Sequence, residues 1–219
     1  MTNPHCRTPA LHIGPSIGVA DVVVVAVHGR GQSAEFMVEH LVHPIDDDRV
    51  AWVLPSAHEG TWYPLGFLAP CADNEPRLSQ ALAALDELAS SIADVPAANV
   101  VWVGFSQGAC LVSEWVARNP RRWGGLVALT GGRIGPPATD LQISLSDTSE
   151  PFAGMPAYFG VGDPDEWVPV DRVYDTAAAF RAAGAEVTVD VFPGKPHDIS
   201  AAEVARARTV IDSARRTSR

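Results

Sequence analysis

VVWVGFSQGACLVSEWV, residues 100 to 116, sets a serine hydroxyl at the junction of an apolar run and a helical pattern with an apolar face. Gly104, Ser106 and Gly108 make it a G-x-S-x-G sequence. On a very tight strand-to-helix turn, such a serine stands above the sheet in a strained backbone conformation. The residues two before and two after it must be small, because strand and helix backbones pass close together there. The N-terminus of the following helix also favours negative charge developing nearby. The same five letters describe an ordinary turn with a capping serine. The flanking strand and helix favour the first reading.

Short, nearly continuous apolar runs recur at residues 22 to 29, 50 to 55, 99 to 106, 125 to 131, 156 to 162 and 187 to 192. Runs of this kind, rather than alternating ones, belong to strands covered on both faces. Helical patterns lie between them, at 33 to 42, 75 to 92, 107 to 118, 172 to 183 and 199 to 216. In the clearest, Leu78, Leu82, Leu85, Leu88 and Ile92 recur at steps of three and four. Asp73 or Asn74 is placed to cap that helix, and Pro76 suits its first turn. Strand alternating with helix predicts a mainly parallel sheet, flanked by helices on both faces and joined by right-handed crossovers. Residues 10 to 20 offer an added antiparallel edge strand, and residues 132 to 154 form a long irregular excursion. With no internal repeat and no low-complexity linker, residues 1 to 219 read as one domain.

Hydrophobic residues make up 47% of the chain and charged residues 19%, a balance that builds a core and argues against disorder. The formal net charge of −10 repels phosphate backbones and anionic membranes, so nucleic acid is not an expected partner. No apolar stretch is long enough for membrane insertion. Cys6, Cys71 and Cys110 are odd in number and form no CxxC, and the N-terminus lacks a basic start followed by an apolar segment. A cytoplasmic location is the expectation. A homodimer is left open, because sequence does not tell which apolar residues are exposed.

A serine hydroxyl is a weak nucleophile unless a base takes its proton and a third group orients that base. On a parallel sheet both belong at the C-terminal ends of later strands. The run at 156 to 162 leads into DPDEWVP, with Asp163, Asp165 and Glu166, and the last run leads into PGKPHDIS, with His197. Serine, aspartate, histidine is the chain order expected for this architecture. Each partner alone has an ordinary explanation, as an exposed histidine or a solvated Asp-Pro turn. Three strand ends together make chance a poor explanation. A tetrahedral intermediate also needs two donors to its oxyanion. The glycine-rich HGRGQS, after the run at 22 to 29, supplies the backbone N–H of Arg30, and the residue after the serine supplies that of Gln107. His28 reads as structural, fixing that loop by hydrogen bonds.

HGRGQS, GFSQGA, GDPDEWVP and GKPH, in that order, resemble the small α/β-hydrolases of the phospholipase/carboxylesterase group, which includes acyl-protein thioesterases. The resemblance spans about residues 22 to 210. It implies an α/β-hydrolase fold, and a chain this short has little room for a sizeable lid domain. Family members commonly read H-G-x-x-D-x-x-V-P around the acid. Aligned on Val168 and Pro169, the acid is Asp165, with Asp163 as the competing choice. Two departures are visible. Val161 stands where many relatives have histidine, and Arg30 stands where thioesterase-type members often have an apolar residue. A cation there would favour a substrate carrying a carboxylate.

The implied activity is that of a serine carboxylesterase acting on small to medium acyl esters. Ser106 attacks, His197 is the base, Asp165 orients it, and an acyl-enzyme forms. Thioesters or lysophospholipids are alternative substrates for the same triad, and a hydrolase-like ligand-binding module with little turnover is the alternative of another class. A dienelactone-hydrolase-like reading would want cysteine at position 106, whereas Cys110 lies one helical turn further on. GTWYPLGFLAP, residues 60 to 70, supplies Trp62, Tyr63, Phe67 and Leu68 as candidates for the acyl-binding wall, and Trp167 for the entrance. The seven histidines form no HExxH, and neither a phosphate loop nor a dinucleotide fingerprint is present, so no metal and no cofactor is expected.

Overall fold

A computed structural model describes residues 3–143 and 150–215. Seven strands form one sheet: β1 (Leu11–Ile13), β2 (Val22–Val27), β3 (Val50–Leu54), β4 (Val100–Phe105), β5 (Gly125–Leu129), β6 (Pro156–Asp163) and β7 (Glu186–Pro193). Their order in space is β1-β3-β2-β4-β5-β6-β7. β1 runs antiparallel to β3, and every other pair is parallel. The six apolar runs are all strands, and the stretch at 10 to 20 contributes the antiparallel edge. From β2 the chain first winds outward to β3 and then returns to place β4 on the other side. The loops leaving β2 and β4 therefore part above the sheet, which is where such folds bind ligands.

The helices are α1 (Ala34–Met37), α2 (His43–Ile45), α3 (Arg77–Ser91), α4 (Gln107–Arg118), α5 (Val170–Ala182) and α6 (Ala201–Ser213). A π-helical stretch, Val38–Val42, joins α1 to α2, so the predicted helix at 33 to 42 runs longer than its pattern. On one face of the sheet Val23, Val25, Val27 and Trp102 pack with Leu78 and Leu85 of α3, Leu111 and Trp115 of α4 and Phe180 of α5. On the other, Val22, Val24, Ala26, Val101 and Val103 meet Met37, Leu41 and the α6 residues Ala207 and Ile211. Alternate residues of one strand thus enter opposite cores, which explains the continuous apolar runs. Each fully buried large side chain is worth about 1.5–3 kcal/mol.

Three expectations about helix ends change. Pro76 occupies the N-cap position of α3 rather than its first turn, and neither Asp73 nor Asn74 caps the helix. Glu75 does that work instead, accepting the Ser79 N–H at 3.1 Å and its hydroxyl at 2.7 Å. Asn74 is fully buried and turned to the loop before it, a choice that depends on contacts far from the helical pattern. The last helix starts at Ala201, held by a capping box between Ser200 and Glu203, and residue 216 of its predicted span lies outside the described residues. The excursion at 132 to 154 contains no helix or strand among its described residues, and its residues 144–149 lie outside them. No described helix is long and apolar enough to cross a membrane.

Trp102 is inaccessible to solvent, with ring centroids 4.1 Å from Trp115 and 5.5 Å from Trp123. Trp102→Ala is expected to lower unfolding free energy by about 3–5 kcal/mol in urea titrations, because β4, α4 and the β5 entry all lose a shared contact.

Candidate active site

Ser106 lies at the N-cap of α4 with φ 52° and ψ −119°, a positive-φ conformation that costs a non-glycine residue about 1–3 kcal/mol. Two crowded glycines permit it. A Cβ on Gly104 would meet the Gly108 carbonyl oxygen at 2.4 Å, and one on Gly108 would meet the Val27 carbonyl oxygen at 2.2 Å. The main chain is pinned on both sides: the Ser106 N–H donates to Leu129 at 2.9 Å, and the Cys110 N–H donates to the Ser106 carbonyl at 3.0 Å.

The Ser106 hydroxyl lies 2.8 Å from His197 Nε2. His197 Nδ1 lies 2.8 Å from Asp165 Oδ2 and 3.1 Å from Oδ1. Because a carboxylate only accepts, Nδ1 carries the proton and Nε2 presents its lone pair to the serine. Asp165 Oδ1 accepts the N–H groups of Trp167 and Val168, both at 2.9 Å. Burial pushes the Asp165 carboxyl up, but those two N–H groups and His197 outweigh it and hold it below the usual carboxylate range. Asp163 ends β6 exposed to solvent and paired in register with Pro193, away from this relay.

The loop after β2 stands opposite the serine. His28 is fully buried and burial keeps its pKa low; its neutral ring donates from Nδ1 to the Gly29 carbonyl at 2.7 Å and accepts the Ala57 N–H at Nε2, 3.0 Å away. Gln32 accepts the Gly29 N–H at 2.9 Å. Among the described residues, neither the Arg30 nor the Gln107 N–H donates to a protein acceptor. The Arg30 guanidinium is committed to main-chain carbonyls, Pro64 at 2.7 Å, Tyr63 at 3.0 Å and also Leu65. These bonds tie the exposed Arg30 side chain to residues 63–65 beside the cleft that it lines.

A cleft of about 510 Å³ opens beside Ser106 and His197, walled by Tyr63, Phe67, Phe105, Cys110, Trp167 and Val168. Of the four wall candidates, Tyr63 and Phe67 border it, as does Trp167, the entrance candidate. Trp62 and Leu68 do not. Trp62 is buried with its indole N–H on the His28 carbonyl at 2.9 Å, and Leu68 packs against the core beneath. Phe105 and Val168 escaped notice because one reads as strand core and the other as part of the acid motif. Cys110 follows Ser106 by one helical turn, so its place on the same face was legible. Its buried thiol, pushed up to about 12, is inert as a nucleophile. A separate hollow of about 370 Å³ beside Asp86, Trp115 and Trp123 contains no nucleophile paired with a base. No group of three or more His, Cys, Asp or Glu among the described residues is placed to hold a metal.

The Phospholipase/Carboxylesterase family model matches residues 11–214, and the chain belongs to that family. It is similar to a phospholipase/carboxylesterase from Dyadobacter fermentans at 34% identity, TM-score 0.80, covering 93% of this chain and 95% of that one. Carboxylesterases from Mesorhizobium loti and Bacillus cereus, each 18% identical with TM-score 0.69, share the fold. The first covers 93% of both chains, the second 98% of this chain and 100% of its own. No curated protein sequence matches. The protein is an ester-hydrolysing enzyme with the α/β-hydrolase fold.

Asp165 carries a testable consequence for stability. A carboxyl whose folded pKa is depressed contributes stability that is present above its unfolded pKa and lost as pH falls through the folded one. Asp165→Asn removes that contribution. Urea titrations from neutral pH down to about pH 3 should show wild-type stability falling more steeply than that of the variant.

Proposed function

We propose that this enzyme is a serine carboxylesterase of small to medium acyl esters, using Ser106 as nucleophile, His197 as base and Asp165 as the orienting acid. The observation that carries this reading is the unbroken relay from Ser106 Oγ through both ring nitrogens of His197 to a buried carboxylate. As Ser106 Oγ attacks the ester carbonyl, its proton moves to His197 Nε2, and Asp165 stabilises the imidazolium. The carbonyl oxygen becomes an oxyanion facing the N–H groups of Arg30 and Gln107, at the N-terminus of α4. Collapse breaks the bond to the alcohol, which leaves with the proton from Nε2. Water then gives its proton to Nε2, attacks the acyl-enzyme and frees the acid and Ser106.

The acyl group lies against Tyr63 and Phe67, while Trp167, 66% exposed, flanks the mouth where the alcohol departs. A cleft of this volume, bounded by short loops, suits acyl groups of modest length. The chain acts as one domain, since the relay draws on the ends of β4, β6 and β7 of a single sheet. Three unpaired cysteines fit a reducing, cytoplasmic setting.

p-Nitrophenyl esters of increasing acyl length test the proposal. Ser106→Ala should lose turnover by at least about 10³-fold, and Asp165→Asn by on the order of 10⁴-fold, as for other triads whose base is left in the wrong tautomer. Asp163→Asn should stay within about twofold of wild type, as expected of an exposed residue outside the relay. Equal rates for Ser106→Ala and wild type would sink the mechanism.

A further inference from the structure

The two residues assigned to the oxyanion hole share a second feature. Both send their side chains to the same short segment, residues 62–65. Gln107 accepts the Trp62 N–H at 3.0 Å and donates to the Tyr63 carbonyl at 2.8 Å. Arg30 donates to the carbonyls of Tyr63, Pro64 and Leu65. The Tyr63 carbonyl therefore accepts from both residues at once, so one oxygen ties the loop after β2 to the first turn of α4.

That segment is itself anchored. Asn74, buried, accepts the Leu65 N–H at 2.8 Å and donates to the Gly66 carbonyl at 3.3 Å. Arg77 donates to the Thr61 carbonyl at 3.2 Å, and the Gly31 N–H donates to the Gly60 carbonyl at 2.8 Å. A planar guanidinium with several N–H groups in fixed directions suits an array of carbonyls better than a flexible ammonium does. Oxyanion donors help only when they already point to where charge will develop, since any movement during the reaction reduces their effect. Two N–H groups on separate segments, one in a loop and one in the first turn of a helix, have no covalent reason to keep a common aim.

We propose that the Arg30 side chain is a positioning residue: by clamping residues 63–65, already bound by Gln107, it locks the two oxyanion donors and the Tyr63 wall of the acyl cleft into one rigid piece. The proposal rests on the assignment of Arg30 and Gln107 as the oxyanion donors. It gives a role to the charge at position 30. The guanidinium acts through main-chain geometry and touches no reacting atom.

Arg30→Met keeps the backbone N–H and most of the stem while removing the clamp, and Arg30→Lys keeps the charge without the fork. Both are assayed on a short p-nitrophenyl ester, with inhibition by a trifluoromethyl ketone, whose adduct on Ser106 places an oxyanion in the hole. Thermal unfolding is followed alongside. Arg30→Met should lose about tenfold in kcat, less than the 10²–10³-fold typical of deleting a donor outright, with KM within about twofold. The ketone's inhibition constant should rise in step with the fall in kcat/KM, and the variant should remain folded at the assay temperature. Arg30→Lys should recover little of the loss.

Unchanged kcat, a loss confined to KM, or full recovery with lysine would overturn the clamp. So would an Arg30→Met variant that unfolds at the assay temperature, since Arg30 would then serve stability. Failure of the functional reading has a different signature: Ser106→Ala would match wild type, whatever Arg30 does.

Discussion

The close approach between the backbone of β4 and the first turn of α4 is the constraint on which the rest depends. Gly104 and Gly108 have no room for a Cβ, and Ser106 between them is forced to a positive φ. Removing either glycine's freedom would push α4 off the sheet, and with it the hydroxyl, the N–H of Gln107 and the cleft-lining Cys110. The strain at Ser106 persists because flanking strands over-determine it. The Leu129 carbonyl holds its N–H from β5, and the Val27 carbonyl bounds Gly108 from β2. A central position in the sheet is therefore part of how the Ser106 hydroxyl is held.

The proposed base is held by different means. His197 sits on the loop after β7, an edge strand that is only partly covered. What steadies the loop is a buried pair two residues away, Lys195 Nζ to Glu203 at 3.2 Å, with side chains 7% and 0% exposed. Lys195 also donates to the Asp198 carbonyl at 2.6 Å and to the Thr130 hydroxyl at 3.3 Å. Thr130, like Ser106, follows a central strand with a positive φ, 56°, which is a true outlier for a β-branched residue. Its N–H is fixed on the Gly160 carbonyl at 2.6 Å. Breaking one partner of such a pair leaves an uncompensated buried charge, at about 3–5 kcal/mol. Ionic and hydrogen-bonded contacts thus do on the β7 side what close packing does at β4.

A related cluster, centred on the buried Glu114 and Arg133, holds the excursion after β5. Glu114 of α4 bonds Arg118 at 2.7 Å and Arg133 at 3.0 Å, and Arg133 also donates to the Leu141 carbonyl at 2.5 Å. Arg172 of α5 reaches the carbonyls of Gly135 and Pro136 at 2.9 and 2.7 Å. Arginines recur here, as at Arg30, wherever loop carbonyls need donors that the strands and helices do not supply. An irregular chain leaves its backbone polar groups unpaired, and burial demands partners for them.

The strands, their mainly parallel pairing and the place of Ser106 between β4 and α4 were legible in the chain itself, while the preference for Asp165 over Asp163 came from the family resemblance. Short, continuous apolar runs mark strands covered on both faces, and the G-x-S-x-G glycines announce a close backbone approach. Asp165 and His197 follow strands whose C-terminal ends must lie on one edge of a parallel sheet. Loop side chains were not legible in this way. Trp62 reads as well as Tyr63 for a cleft wall, but its indole N–H finds the His28 carbonyl and turns it inward. Asn74 reads as a helix cap and is drawn instead to Leu65, while Arg30 reads as a free cation and is taken up by carbonyls more than thirty residues away. The periodic and local features were determined by sequence, because they repeat along the chain. The direction of each loop side chain was decided only in the tertiary structure, because its hydrogen-bonding partners come from segments that folding brings together.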